Sequence, residues 1–372
     1  MAATRAIIFS LVILSTTLFQ IPCPCNGNLL RICNFHQIYQ LGDSISDTGN
    51  LIRESPMGAA SPFSRLPYGE TFFHNATALM YVCTFTARSA GLPLLNAYKN
   101  TGADFKHGVD FAVAGSTALP VETLADQNIL SPVTTSSLGV QLDWMSTHFN
   151  STCDGGRDCA EKLKDSLFMV GEIGGNDYNY ALFQGKSIEE VKSLVPIVVQ
   201  AIANAVRRVI DHGAVRVVVP GNFPIGCFPI YLTGFKTNNS TAYDDNNCLR
   251  DLNELSKFHN DQLQRAIGEL NKEFPNAVIT YGDYYNAFDW LFRSAAYLGF
   301  DASTTQRSCC GAGGDYNFSL GRMCGAPDVP VCRNPDRLIS WDGIHLTQKA
   351  YKLMNAWLVR DLLPKLQCRL YN

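Results

Sequence analysis

Short apolar runs recur along the chain, and most of them stop at glycine or at small polar residues. The run 36–41 ends at Gly42-Asp43-Ser44, and 109–114 ends at Gly115. The run 166–171 leads into Gly174-Gly175-Asn176-Asp177, 214–219 ends at Pro220-Gly221-Asn222, and 277–281 is a fifth. Runs of this length, rich in Val and Ile, suit strands covered on both faces. Helical spacing fills the intervals. Ile188, Val191, Val195, Val198, Ile202, Val206 and Val209 recur three and four apart, which predicts an amphipathic helix over 187–212. Ser187 with Glu190 forms a capping box, and Gly213 supplies the stop. The stretches 249–270 and 348–363 repeat the pattern more loosely. Alternating strands and helices predict a mostly parallel sheet sandwiched by helices. Ligands bind such sheets beyond the C-terminal ends of the strands.

The first residues follow another pattern. Arg5 is the only charged residue before Arg31, and an apolar run over 6–14 follows it. The run is too short to cross a bilayer and leads into Pro and Gly, as in a cleaved signal peptide. Residues 1–25 are the expected leader, cut after Cys25 or close to Gly27. An uncleaved anchor is the alternative, disfavoured because no stop-transfer pattern follows. Residues 26–372 are expected to form one domain, and no other segment is expected to insert in a membrane.

Composition narrows the class. Hydrophobic residues make up 46% and charged residues 17% of the 372, too apolar for a disordered chain. The net charge of −3 argues against a nucleic-acid or anionic-membrane surface. Thirteen cysteines point to an oxidising compartment. Sequons begin at Asn75, Asn150, Asn238, Asn239 and Asn317, and predict a glycoprotein with those positions on surface loops. The expected location is extracellular or vacuolar.

A nucleophilic serine needs a base, a carboxylate to orient that base, and donors for the oxyanion. Ser44 follows the first run within Gly42-Asp43-Ser44-Ile45-Ser46-Asp47-Thr48-Gly49-Asn50. Alone, this reads equally as a turn. His345 lies in Trp341-Asp342-Gly343-Ile344-His345. There Asp342 can hold one imidazole nitrogen while the other faces substrate, or Asp342 can merely cap the next helix. No other histidine has a carboxylate in comparable local register. Gly115 can offer a backbone N–H and Asn176 a side-chain amide, although each also suits a simple turn.

Taken together, the segments Gly-Asp-Ser with Ser-Asp-Thr-Gly-Asn, Phe111-Ala112-Val113-Ala114-Gly115, Gly174-Gly175-Asn176-Asp177 and Asp342-Gly343-Ile344-His345 resemble the GDSL family of SGNH hydrolases, over about residues 36–366. Pro67-Tyr68-Gly69-Glu70-Thr71-Phe72-Phe73, Pro224-Ile225-Gly226-Cys227 and Cys309-Cys310-Gly311 through Asn317 are similar to its secreted plant branch, and within it to acetylajmalan-esterase-like proteins. The resemblance implies a three-layer α/β/α sandwich with a flavodoxin-like sheet and ester hydrolysis through an acyl-serine. It implies Ser44 as nucleophile, His345 as base and Asp342 as its orienting carboxylate. The oxyanion hole would be the N–H groups of Ser44 and Gly115 with the Asn176 side chain. Small acyl esters of plant metabolites, or lipids, are the implied substrates. A monomer without cofactor or metal is expected. Two alternatives are acyl transfer by the same acyl-serine and a catalytically impaired binding or defence homologue.

One stretch departs from the family. After Thr77 the chain reads Ala78 to Arg88 where a Gly-Arg-Cys-Ser-Asp-Gly-like segment is usual, and β-branched Val82, Thr84 and Thr86 weaken its helix signal. Exposed sheet surface beside the first strand is the expected consequence. Of the cysteines, Cys153 with Cys159, Cys227 with Cys248, and Cys309, Cys310, Cys324 and Cys332 among themselves are the expected bridges. Cys83 is the candidate free thiol. A zinc cluster is the rival reading, disfavoured by the secretory features.

Overall fold

The structure, a computed structural model, describes residues 28–70, 82–153 and 156–368. The expected leader 1–25, the sequon at Asn75 and residues 78–81 of the atypical stretch lie outside these. So do Cys23, Cys25 and the side chain of Cys83.

Six parallel strands form one sheet: β1 (Gln37–Leu41), β2 (Asn96–Ala97), β3 (Gly108–Asp110), β4 (Ser166–Val170), β5 (Arg216–Pro220) and β6 (Val278–Gly282). Their order is β2-β3-β1-β4-β5-β6. Setting aside the two-residue edge strand β2, this is the flavodoxin-like order, whose direction of winding reverses beside the first strand. β4 is buried along its whole length, as expected of a strand covered on both sides. The second apolar run is only partly strand: β3 stops at Asp110, and Phe111–Ala114 continue as buried loop.

Helices cover both faces. Ile188–Asp211 packs against Arg250–Glu273 and against Leu138–Thr152. Gln348–Leu362 packs against Tyr284–Arg293 and Val82–Ala90. The capping box at Ser187 and Glu190 is present. Ile188–Asp211 is also long and apolar enough to cross a membrane by length and composition, contrary to the expectation that no further segment is. Its Val191, Val195, Val198, Ile202, Val206 and Val209 are buried in the protein core, which accounts for that apolar character.

The atypical stretch does make a helix, Val82–Ala90. Ala87 and Ala90 are buried, and Thr86 and Ser89 both hydrogen-bond to Asn355 of the neighbouring helix. Tertiary contacts thus override the weak local propensity, and this part of the sheet's cover is in place.

Five disulfides join Cys33–Cys368, Cys153–Cys159, Cys227–Cys248, Cys309–Cys332 and Cys310–Cys324. The first, spanning 335 residues, has no local sequence signal. Of the sequons, Asn150, Asn238 and Asn239 are exposed, and Asn150 sits on the last turn of Leu138–Thr152, not on a loop. The Asn317 amide donates to the Ser308 carbonyl and accepts from Gly313 N–H.

Candidate active site

Ser44 sits one turn beyond β1. The turn starts at Gly42, where a Cβ would come 2.9 Å from the Glu172 carbonyl oxygen, a close approach that only glycine permits. Both backbone groups of Gly42 are clamped by Gln141: Gly42 N–H donates to Oε1 at 2.9 Å, and Nε2 donates to the Gly42 carbonyl at 2.8 Å. Nε2 also donates to Ser116 Oγ at 2.8 Å. One fully buried side chain therefore ties the Ser44 turn to the loop that carries Gly115. Asp43 closes the turn, accepting from Ile45 N–H at 2.9 Å.

His345 and Asp342 enter from the loop before Gln348–Leu362, 301 residues away from Ser44. His345 Nε2 is 2.8 Å from Ser44 Oγ, and Nδ1 is 2.8 Å from Asp342 Oδ2. An ionised carboxylate only accepts, so Nδ1 carries the proton and Nε2 is left to accept from the serine hydroxyl. The other carboxylate oxygen of Asp342 accepts from the backbone of Ile344 at 3.0 Å and His345 at 2.8 Å. Burial opposes the Asp342 charge, but His345 and these N–H donors outweigh it and hold its carboxyl below the usual range. Asp342 and His345 are each 2% exposed, and Ser44 is 9% exposed. Of the three, Ser44 is the most open to an incoming substrate.

The oxyanion candidates gather at the same place. Gly115 has φ +82, and its N–H and that of Ser44 make no hydrogen bond among the described residues. Its carbonyl accepts from Tyr180 Oη at 2.7 Å. The Asn176 amide donates to the Ser116 carbonyl at 2.9 Å and to Asp43 Oδ2 at 3.3 Å. It therefore bridges the loops that carry Gly115 and Ser44. Two other buried histidines do other work. His259 is buried against Tyr178, and burial pushes its imidazole down to about 3; His148 lies among Tyr39, Phe105, Phe111 and Phe149.

Comparison with known proteins decides the family. The profile of the GDSL-like lipase/acylhydrolase family matches residues 38–358. The chain belongs to that family. It is 49% identical over 337 residues to a GDSL esterase/lipase of Arabidopsis thaliana, covering 90% of this chain and 92% of that protein. Acetylajmalan esterase 2 of Rauvolfia serpentina is 47% identical over 344 residues, 91% of this chain and 93% of that protein. Among solved structures, phospholipase A1 from Streptomyces albidoflavus NA297 aligns with a TM-score of 0.32 at 14% identity, over 76% of this chain and 91% of that one, too slight a likeness to argue from. As a GDSL protein the chain is a serine esterase, a carboxylic ester hydrolase.

Several further residues of this GDSL site gain no role from the sequence alone, although Tyr68, Asp47 and Asp177 stand inside the motifs that carry the resemblance. Tyr68 Oη donates to Asp342 Oδ2 at 2.8 Å. Glu172 and Asp177 lie beside Asp43 in a buried acidic group below Asn176. Burial, then the Asp43 charge, pushes Glu172 well above the carboxylate range. Asp177, which accepts from Ala118 N–H at 2.8 Å and Leu119 N–H at 3.0 Å, is pushed by burial up to about 7. Asp47 accepts from Gly49, Asn50, Leu51 and Ala114 and is pushed by burial up to about 6. These carboxyls build the turns that present Ser44 and Gly115, and such contacts between distant segments leave no mark in a single sequence.

Proposed function

We propose that Ser44 is the nucleophile, His345 the general base and Asp342 its orienting carboxylate. Ser44 Oγ attacks the carbonyl carbon of a carboxylic ester as its proton passes to His345 Nε2. The tetrahedral oxyanion takes hydrogen bonds from the Ser44 and Gly115 N–H groups and from the Asn176 amide. Collapse breaks the ester C–O bond, His345 returns the proton to the departing alcohol, and the acyl group stays on Ser44. Water, deprotonated by His345, then attacks the acyl carbon, and loss of the acid restores the serine. The unbroken hydrogen-bonded line Asp342–His345–Ser44, with 2.8 Å at each step, carries this reading.

We further infer a short acyl group. A Cβ on Gly115 would come 2.5 Å from Val133 and 3.0 Å from Tyr180 Oη, so those two side chains pack directly against the Gly115 loop. The acetylajmalan esterases among the relatives agree with an acetyl ester of a plant metabolite. The family match over 38–358 supports one catalytic domain. The disulfides fit a secreted protein, and the exposed Asn150, Asn238 and Asn239 are the sequons open to a glycan.

A fluorophosphonate should label Ser44 alone, and Ser44→Ala should abolish turnover of p-nitrophenyl acetate. Hydrolysis should fall steeply as the acyl chain lengthens. Label on another serine refutes the assignment, and faster turnover of long chains refutes the short acyl group.

A further inference from the structure

Asp342 has two oxygens and about four lone-pair directions, and four donors occupy them. Oδ1 takes the N–H groups of Ile344 and His345. Oδ2 takes His345 Nδ1 and Tyr68 Oη, each at 2.8 Å. Three of these donors belong to the short loop that carries Asp342 itself. Tyr68 comes from 274 residues earlier in the chain and bonds to the same oxygen that holds the histidine.

The phenol is not free to leave. Tyr68 is 1% exposed and is packed with Leu51, Val113, Ala114, the half-cystines Cys309, Cys310 and Cys324, and Trp341. Phe63 meets its ring edge-on at 5.2 Å, and a Cβ on Gly325 would come 3.3 Å from Cε2. A buried tyrosine hydroxyl needs some partner, but any carbonyl would serve that need. Here the partner is the carboxylate that sets the basicity and direction of His345.

We propose that Tyr68 is a positioning residue of the active site: its phenol fixes the Asp342 carboxylate and draws on its charge, and so tunes His345. The inference rests on the triad reading given above. Tyr68 does not touch substrate. Its donated hydrogen bond weakens the grip of Asp342 on the imidazolium and leaves His345 free to release its proton to the leaving alcohol.

Tyr68→Phe keeps the ring and deletes the donor. Asp342 then becomes a stronger partner for the charged imidazole, and His345 holds its proton to higher pH. The titratable groups facing His345 are Asp342 and Asp43, and those facing Asp342 are His345 and Tyr68. The acid limb of the kcat/KM profile, which requires neutral His345, should therefore move up by about 0.5 pH unit. We expect kcat per fluorophosphonate-titrated site to fall about tenfold with KM changed less than about twofold. The limb position does not depend on the folded fraction, so partial misfolding cannot mimic the shift. Phe63→Leu, which disturbs packing around the same ring, should lower the melting temperature and leave the limb in place. An unmoved limb and unchanged kcat in Tyr68→Phe, with Ser44→Ala inactive, overturn the inference and leave the triad standing. Equal limb shifts in Tyr68→Phe and Phe63→Leu also overturn it, since packing alone would then suffice. An active Ser44→Ala removes the triad reading, and the inference with it.

Discussion

The amide of Asn176 lies 3.3 Å from the carboxylate of Asp43, the residue that precedes Ser44 in the chain. That contact is longer than the 2.9 Å bond the same amide makes to the Ser116 carbonyl. The weaker bond is therefore the one an arriving oxyanion can displace, while the stronger one keeps the amide in place. Asn176→Ala should lower kcat by about a hundredfold or more with little change in KM, as for loss of one oxyanion donor. Steady-state kinetics on an acetyl ester check this. A change confined to KM would make Asn176 a substrate-binding residue.

Gln141→Leu tests the clamp on Gly42. The substitution leaves the buried Gly42 N–H without its partner, at a cost of about 1–3 kcal/mol, while the Gly42 C=O keeps its bond from Val113 N–H. The denaturation midpoint should fall. Acylation by fluorophosphonate should slow as well, because the Ser44 turn loses one of its ties to the Gly115 loop and keeps those through Asn176, Val113 and Ala114. Loss of stability with full acylation rate would mean that Asp43 and Asp47 hold the turn unaided.

Stability should respond to pH in the sense opposite to ordinary acid denaturation. Burial pushes Asp47 up to about 6 and Asp177 up to about 7, and it also raises Asp43, Glu172 and Asp110. Each binds its proton more tightly when folded. The stability this contributes is complete below pH about 4 and is lost as pH rises through 6 and 7. Asp342, held low, acts in the other direction in more acid solution, and buried His259, pushed down to about 3, together with the lowered His148 and His212, opposes the five carboxyls near pH 6 without outnumbering them. Calorimetry should find a melting temperature at pH 5 above that at pH 8, by ~2 °C or more. A steady rise over that interval would contradict the burial argument.

The sequence made some parts of this architecture legible and hid others. Strands β1, β4, β5 and β6 stand within two residues of the apolar runs that announce them. The 109–114 run overshoots β3, although Phe111 and Val113 still donate backbone hydrogen bonds to Gln40 and Gly42 past the end of the regular strand. β2 is two residues long and offers no period to detect. Asp342 and His345 are legible because they stand three positions apart on one turn. Tyr68 and Gln141 bond across 274 and 99 residues, which no local pattern encodes. Val82–Ala90 is a helix despite its β-branched residues because Asn355 and the adjoining helix receive it.

The bridge between Cys33 and Cys368 turns almost the whole described chain into a covalent ring. Cys33 stands just ahead of β1, so the ring is fastened at the end of the sheet away from Ser44. A single proteolytic nick in any surface loop then opens the ring without releasing a fragment. Two cuts, or one cut with reduction, are needed before any piece can diffuse away.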